Sequence, residues 1–178
     1  YLKKLRSNGR NYNLNNLEGI LAEFILRIQL EEISLSYGSR MVFDPIEHMS
    51  YTENYVIGYR PDRPGVLLVK KKLSLPRVDP PKKLFKTTFT DIDQLILLDH
   101  LPVIFEVQLM KLRGKYMREK IAKVIKLVRE YYSMQPGLVL VLPPEHISTS
   151  NRFQKLFRDN NGLIVPFYTD REKYQKKI

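Results

Sequence analysis

The stretch that most constrains this chain is Thr90-Asp91-Ile92-Asp93-Gln94-Leu95-Ile96-Leu97-Leu98-Asp99-His100-Leu101-Pro102-Val103-Ile104-Phe105-Glu106-Val107-Gln108. Two apolar runs flank a polar turn at residues 99–102, which predicts adjacent strands buried on both faces. Three polar groups interrupt that oily pair: Asp93 where the first run begins, and Glu106 and Gln108 near the end of the second. A buried carboxylate loses its hydration, so it needs a cation or a proton beside it. Glu106 and Gln108 are two apart on a strand and therefore share a face, while Val107 points to the other. Antiparallel pairing through the turn brings Asp93 to the same end, and Asp91 shares its face, so either aspartate can serve there. Oxygen ligands converging in this way suit Mg²⁺ or Mn²⁺ rather than zinc.

The flanking sequence places this pair in an α/β setting. Leu17, Ile20, Leu21, Phe24, Ile25 and Ile28 recur at three- and four-residue steps, predicting an amphipathic helix over residues 16–34 with Asn15 or Asn16 as its N-cap. Residues 55–59 and 66–75 read as two strands joined by the turn-rich Arg60-Pro61-Asp62-Arg63-Pro64-Gly65, an extended hairpin. Its basic end, Lys70-Lys71-Lys72, suits phosphate contacts, or equally a lysine-protected strand edge. Helical spacing returns over Gly114–Tyr132, whose outer face carries Arg118, Lys123, Lys126 and Arg129. A strand at residues 138–142, a short helix at 148–157 and a last strand at 163–167 complete the order. The expected fold is an α/β sandwich with a mixed central sheet flanked by helices, the 114–132 helix joining two parallel strands.

Composition narrows the partner. Lys and Arg number 30 against 19 Asp and Glu, a formal charge of +11. Such an excess attracts polyanions through counterion release, so nucleic acid is the leading partner. Residues 1–15 form a basic arm with Lys3, Lys4, Arg6 and Arg10, and residues 16–178 are expected as a single domain. The absence of Cys excludes a disulfide framework and thiolate metal sites, and fits an intracellular protein. His48, His100 and His146 are scattered singly, without metal-ligand spacing. No apolar stretch approaches the roughly 18 residues of a membrane span, and no signal peptide is evident, so a soluble, cytoplasmic protein is expected. Phosphate-binding glycine loops, a serine nucleophile elbow and zincin histidines are all missing.

The motif Asp93, then Glu106, then Gln108 after one residue, set in apolar strands and followed by an amphipathic helix, resembles the signature of PD-(D/E)XK nucleases. Gly19-Ile20-Leu21-Ala22-Glu23 is similar to the first-helix Gly-x-x-Ala-Glu pattern of the Holliday-junction-resolvase branch of that superfamily. The resemblance implies a metal held by Asp93, Glu106 and Glu23, with Mg²⁺ or Mn²⁺ as cofactor. It implies hydrolysis of DNA phosphodiesters, on branched or junction substrates, by a homodimer whose apolar contact surface is expected from residues 41–59. The chain departs from the pattern at Gln108, where lysine is usual, so a cation such as Lys111 or Lys115 is expected to substitute. Lys70, Lys71, Lys72, Lys115 and Arg118 are the expected DNA contacts. Two other readings compete: a degenerate nuclease fold that binds DNA without cutting it, and a structural protein whose strand carboxylates pair with core Lys or Arg.

Overall fold

The chain changes sheets at Asp93. In the computed structural model, which describes residues 14–43, 50–51, 55–60, 63, 65–71, 88–109, 114–147 and 151–167, strands β5 (Thr88–Ile92) and β6 (Gln94–Leu98) are separated by that one residue. β5 closes a four-stranded antiparallel sheet with β2 (Ser50–Tyr51), β3 (Tyr55–Tyr59) and β4 (Leu67–Lys71), in the order β2-β3-β4-β5. β6 enters a five-stranded mixed sheet with β1 (Met41–Phe43), β7 (Leu101–Val107), β8 (Gly137–Leu142) and β9 (Gly162–Pro166), ordered β1-β6-β7-β8-β9.

The oily pair forms as its sequence predicts. β6 and β7 are antiparallel, with Gln94 opposite Phe105 and Leu98 opposite Leu101. Asp99 and His100 make the turn, both at positive φ (49° and 68°), the backbone signature of a two-residue type I′ hairpin. Arg40 clamps that turn: its guanidinium donates to both Asp99 oxygens at 2.7 and 2.5 Å, and its carbonyl accepts the Asp99 N–H at 2.7 Å. β7 and β8 are parallel, and α2 (Gly114–Tyr132) supplies the long crossover that parallel neighbours require. The short helices α3 (Pro144–Ile147) and α4 (Asn151–Arg158) lead into β9, which is parallel to β8.

Two apolar layers enclose the central sheet. On one face Leu95, Ile104, Leu138, Leu140 and Leu142 pack with Met117, Ile121, Val124 and Val128 of α2. On the other, Ile96, Val103 and Val141 pack with Leu26 and Leu30 of α1 (Leu14–Tyr37). The second sheet shares the first of these cores through Tyr55, Ile57, Leu67, Val69 and Ile92. The expected hairpin insertion thus belongs to the molecule's main core, to which its inward alternation contributes Tyr55, Ile57, Leu67 and Val69.

Other expectations shift. α1 begins at Leu14, so Asn15 and Asn16 lie inside it instead of capping it. β4 is an interior strand, with Lys70 opposite Val56 on one side and Thr88 on the other, so its lysines do not guard an edge. Within the expected dimer segment Met41, Tyr55, Val56 and Ile57 are buried and Val42 is exposed, while residues 44–49 and 52–54 lie outside the described residues. Leu21, Phe24, Ile25 and Ile28 are exposed on the outer face of α1. The N-terminal arm through residue 13 and residues 72–75 of the expected strand lie outside the described residues.

The turn between β3 and β4 fits against the central sheet through Gly65. Its φ is +76°, and a Cβ there would stand 2.4–2.8 Å from the side-chain amide of Gln94, itself fully buried. Gly65→Ala is therefore expected to destabilise the protein by about 1–3 kcal/mol, read as a lowered urea midpoint with unchanged slope.

Candidate functional site

Strand register brings the two motif acids together. The β6–β7 ladder ends at the Gln94–Phe105 pair, and Asp93 and Glu106 are the next residues on the two chains. Asp93 Oδ2 accepts the Val107 N–H at 2.7 Å, which pins the carboxylate to the neighbouring strand. Glu106 alternates with Val107 and shares the face of Ile104, turned toward α2. Asp93 is 4% exposed and Glu106 1%.

The cation that meets them is Lys120. It lies on the apolar stripe of α2, between Met117 and Val124 at helical spacing, so the helix that covers the sheet delivers its ammonium into the carboxylates. Lys120 Nζ is 3.0 Å from Asp91 Oδ1 and 3.5 Å from Asp93 Oδ1, and it contacts Glu106 Oε2 directly. Glu106 Oε1 is buried without a hydrogen-bond partner among the described residues. Burial drives the Glu106 carboxyl well above the usual range, with the Asp93 charge adding to it and Lys120 opposing. Burial pulls the Lys120 ammonium down, but Glu106, Asp93 and Asp91 outweigh it and raise the group well above an ordinary lysine. At Asp91 burial pulls upward, yet the Lys120 charge and hydrogen bond prevail and hold its carboxyl below the usual value. Lysine thus keeps its charge, while burial favours the protonated form of Glu106.

Glu23 approaches from α1. It follows Ala22 on the helix face that continues through Leu26 and Leu30, and it is 7% exposed. Arg63, in the β3–β4 turn, donates to Glu23 Oε1 at 2.8 Å. Glu23 Oε2 and Arg63 Nε are buried without hydrogen-bond partners among the described residues. Burial raises the Glu23 carboxyl from 4.5 to about 7; Asp93 pushes it further up, while Arg63 and Lys120 oppose. Arg60, in the same turn, helps to lower Asp91. Next to Asp93, Gln94 faces α1 and accepts from Arg27 at 3.4 Å.

The structure therefore gathers Asp93, Glu106 and Asp91 on one ammonium and sets Glu23 within their field. Asp91 and Asp93 both belong to the cluster, Asp93 being the more deeply buried. Gln108 lies just past β7, its N–H donating to the Val141 carbonyl at 2.9 Å. The cation that meets these acids among the described residues is Lys120; of the two expected lysines, Lys111 lies outside the described residues and Lys115 sits in the first turn of α2. The signal was present in the sequence, since Lys120 interrupts the apolar stripe of α2 instead of joining its outer face. Arg118 is exposed on that outer face, Lys71 is exposed at the end of β4 and Lys70 half-buried. Lys72 lies outside the described residues.

Among the described residues no three acidic or histidine side chains form a ready-made metal cage, because Lys120 stands between the acids. No helix among them is long and apolar enough to cross a membrane. No family profile, curated protein or solved structure matches the chain.

Two outcomes follow from these charges. Lys120→Met strands buried carboxylates without a partner, and is expected to cost about 3–5 kcal/mol at pH 8 and clearly less at pH 5, measured by urea unfolding. For Glu23, the folded protein holds a proton between pH 4.5 and about 7 that the unfolded chain has released. Its contribution to stability is complete below 4.5 and lost as pH rises through about 7. Glu23→Gln should remove that part of the pH slope, seen by comparing urea midpoints of the two proteins across this window.

Proposed function

We propose that the chain is a metal-dependent DNA endonuclease that hydrolyses phosphodiester bonds. The observation that carries this reading is the convergence of Asp91, Asp93 and Glu106 at the point where the chain passes between sheets, with Glu106 Oε1 and Glu23 Oε2 buried without hydrogen-bond partners among the described residues. Were a divalent cation to draw the protons off Glu106 and Glu23, four carboxylates against Lys120 and Arg63 would leave two negative charges, the complement of that cation. The donor set is oxygen only, which fits Mg²⁺ or Mn²⁺. Asp93 and Glu106 would hold the cation, with Glu23 as a third ligand from α1. The chemistry such a cation supplies when bound is polarisation of the phosphodiester and activation of water.

The protein's own groups then have distinct roles. Val107 N–H fixes the Asp93 carboxylate in orientation. Lys120 supplies the positive charge that Gln108 lacks, and an ammonium beside the acids can contact a phosphate oxygen or stabilise the charge that builds on it. Gln108 can orient water by hydrogen bonding. An antiparallel pair bearing both acids, then a helix, then a parallel strand supports the resolvase-like reading of the fold. The finer reading, a homodimer acting on branched or junction DNA, rests on the PD-(D/E)XK resemblance, on the charge of +11, and on the apolar outer face of α1. Lys70, Lys71 and Arg118 are the described candidates for backbone contacts.

One observation favours a second reading. Lys120 already neutralises part of the carboxylate group, as expected for a closed ion-pair core in a nuclease-like module that binds DNA without cutting it. The two readings separate on metal binding. Under the nuclease reading, Mn²⁺ binds by calorimetry, and Asp93→Asn and Glu106→Gln each abolish that binding and lower Mg²⁺-dependent cleavage of labelled duplex and junction DNA by at least ~100-fold. Cleavage by both variants at the parental rate would overturn it. Salt-dependent DNA binding without Mn²⁺ binding or cutting would establish the binding module.

A further inference from the structure

We infer that Arg63 is an exchangeable counter-ion: its guanidinium and a divalent cation compete for Glu23, and the displaced guanidinium then contacts the substrate's phosphodiester. This rests on the nuclease reading above, and extends it to a residue that the Asp93–Glu106–Gln108 motif does not contain.

The pairing itself has the features of an occupied but replaceable contact. Arg63 reaches Glu23 across 40 residues of chain at 2.8 Å, yet it engages only Oε1. Glu23 Oε2 and Arg63 Nε are both buried without hydrogen-bond partners among the described residues. A guanidinium and a carboxylate can meet through two parallel hydrogen bonds, and that arrangement satisfies both groups. Here each is left with an unused polar atom away from water, which is costly for groups of this kind. A cation bound by Glu23 together with Asp93 would use the orphaned oxygen.

Electrostatics set the direction of the exchange. The Asp93 charge acts on Glu23, so a dication held by these acids would be attracted by both. Arg63, with a single charge, pairs with Glu23. When it leaves, the guanidinium remains on the β3–β4 turn, beside Arg60, whose charge acts on Asp91. Gly65 of the same turn is wedged against Gln94, next to Asp93 in sequence. The turn thus holds two arginines beside the acidic group, Arg63 paired with Glu23 and Arg60 acting on Asp91, and a polyanionic substrate drawn to a cation there would meet them. A planar guanidinium with five donors is well matched to phosphate oxygens.

The experiment uses the full chain, with Mn²⁺ and a labelled DNA duplex as probes. Arg63→Gln is expected to bind Mn²⁺ about tenfold more tightly by calorimetry, because no internal cation has to be displaced. With Ca²⁺ in place of Mg²⁺, to prevent cutting, the same variant should bind DNA more weakly, and its log-log salt slope should fall by about 1. Arg63→Lys, retaining the charge, should stay near the parent in Mn²⁺ affinity. In a Glu23→Gln background, the Arg63→Gln substitution should no longer change Mn²⁺ affinity, and this holds as a test even if the single Arg63 variant folds poorly. Unchanged or weaker Mn²⁺ binding by folded Arg63→Gln would overturn the exchange, and an unchanged DNA salt slope would overturn the phosphate contact. Asp93→Asn serves as the separating control. If it abolishes Mn²⁺ binding while Arg63→Gln has no effect, only the Arg63 inference fails; if Asp93→Asn still binds Mn²⁺ as the parent does, the metal-dependent reading fails with it.

Discussion

Burying carboxylates from two adjacent strands beneath a helix is unfavourable unless charge is supplied from inside, because each acid loses hydration that no apolar neighbour returns. In this protein the supply is one lysine, Lys120, reached by Asp91, Asp93 and Glu106 together. Much of the architecture serves to make that meeting possible. Asp93 must sit where one strand run ends and another begins, Glu106 must alternate toward α2, and α2 must lie across the sheet in the register that points Lys120 inward. A slip of one residue in the β6–β7 ladder would turn Glu106 to the α1 face and Phe105 toward the lysine. The buried charges therefore act as a register lock, as well as a candidate reaction centre.

The passage of the chain from one sheet to the other explains why such a group is tolerated at all. Within a continuous sheet, a position like Asp93 would face a packed layer. At the break between β5 and β6 the two sheets diverge, and the gap admits side chains from α1, from α2 and from the β3–β4 turn. Glu23, Lys120, Arg63 and Gln94 each come from a different element and meet around that break.

How much of this could be read from sequence depended on whether the signal was local. The β6–β7 hairpin was legible because its apolar runs are continuous and its turn short, and α2 because its 3.6-residue periodicity is clean from Met117 to Val128. Asp93 and Glu106 stood out as charges in oily surroundings, a contrast that needs no knowledge of the fold. Of the second sheet only the β3–β4 hairpin was legible, because β2 is two residues long and β5, the other partner of β4, lies on the far side of residues 72–87. Lys120 was within reach of helical-wheel reasoning but resembled its solvated neighbours Lys123 and Lys126 in type. Arg63 carried no local mark; only the tertiary approach of a turn to α1, across 40 residues, gives it a partner.

A surface of net positive charge and an interior group of acids place opposite demands on a polyanionic ligand. Charge on the outside accelerates encounter and adds affinity that weakens with salt, whereas four carboxylates at the point of approach would repel a phosphate. The cations around the acids resolve this conflict in space. Lys120 pairs with Asp91, Asp93 and Glu106, Arg63 pairs with Glu23, and the Arg60 charge acts on Asp91, so under the proposed function these cations would offset the repulsion of a phosphate. A dication among the acids would reverse the remaining field, converting a site that repels phosphate into one that attracts it. On that view, substrate and metal are not independent ligands: each makes the local potential favourable for the other, and the arginines of the β3–β4 turn stand where the two potentials meet.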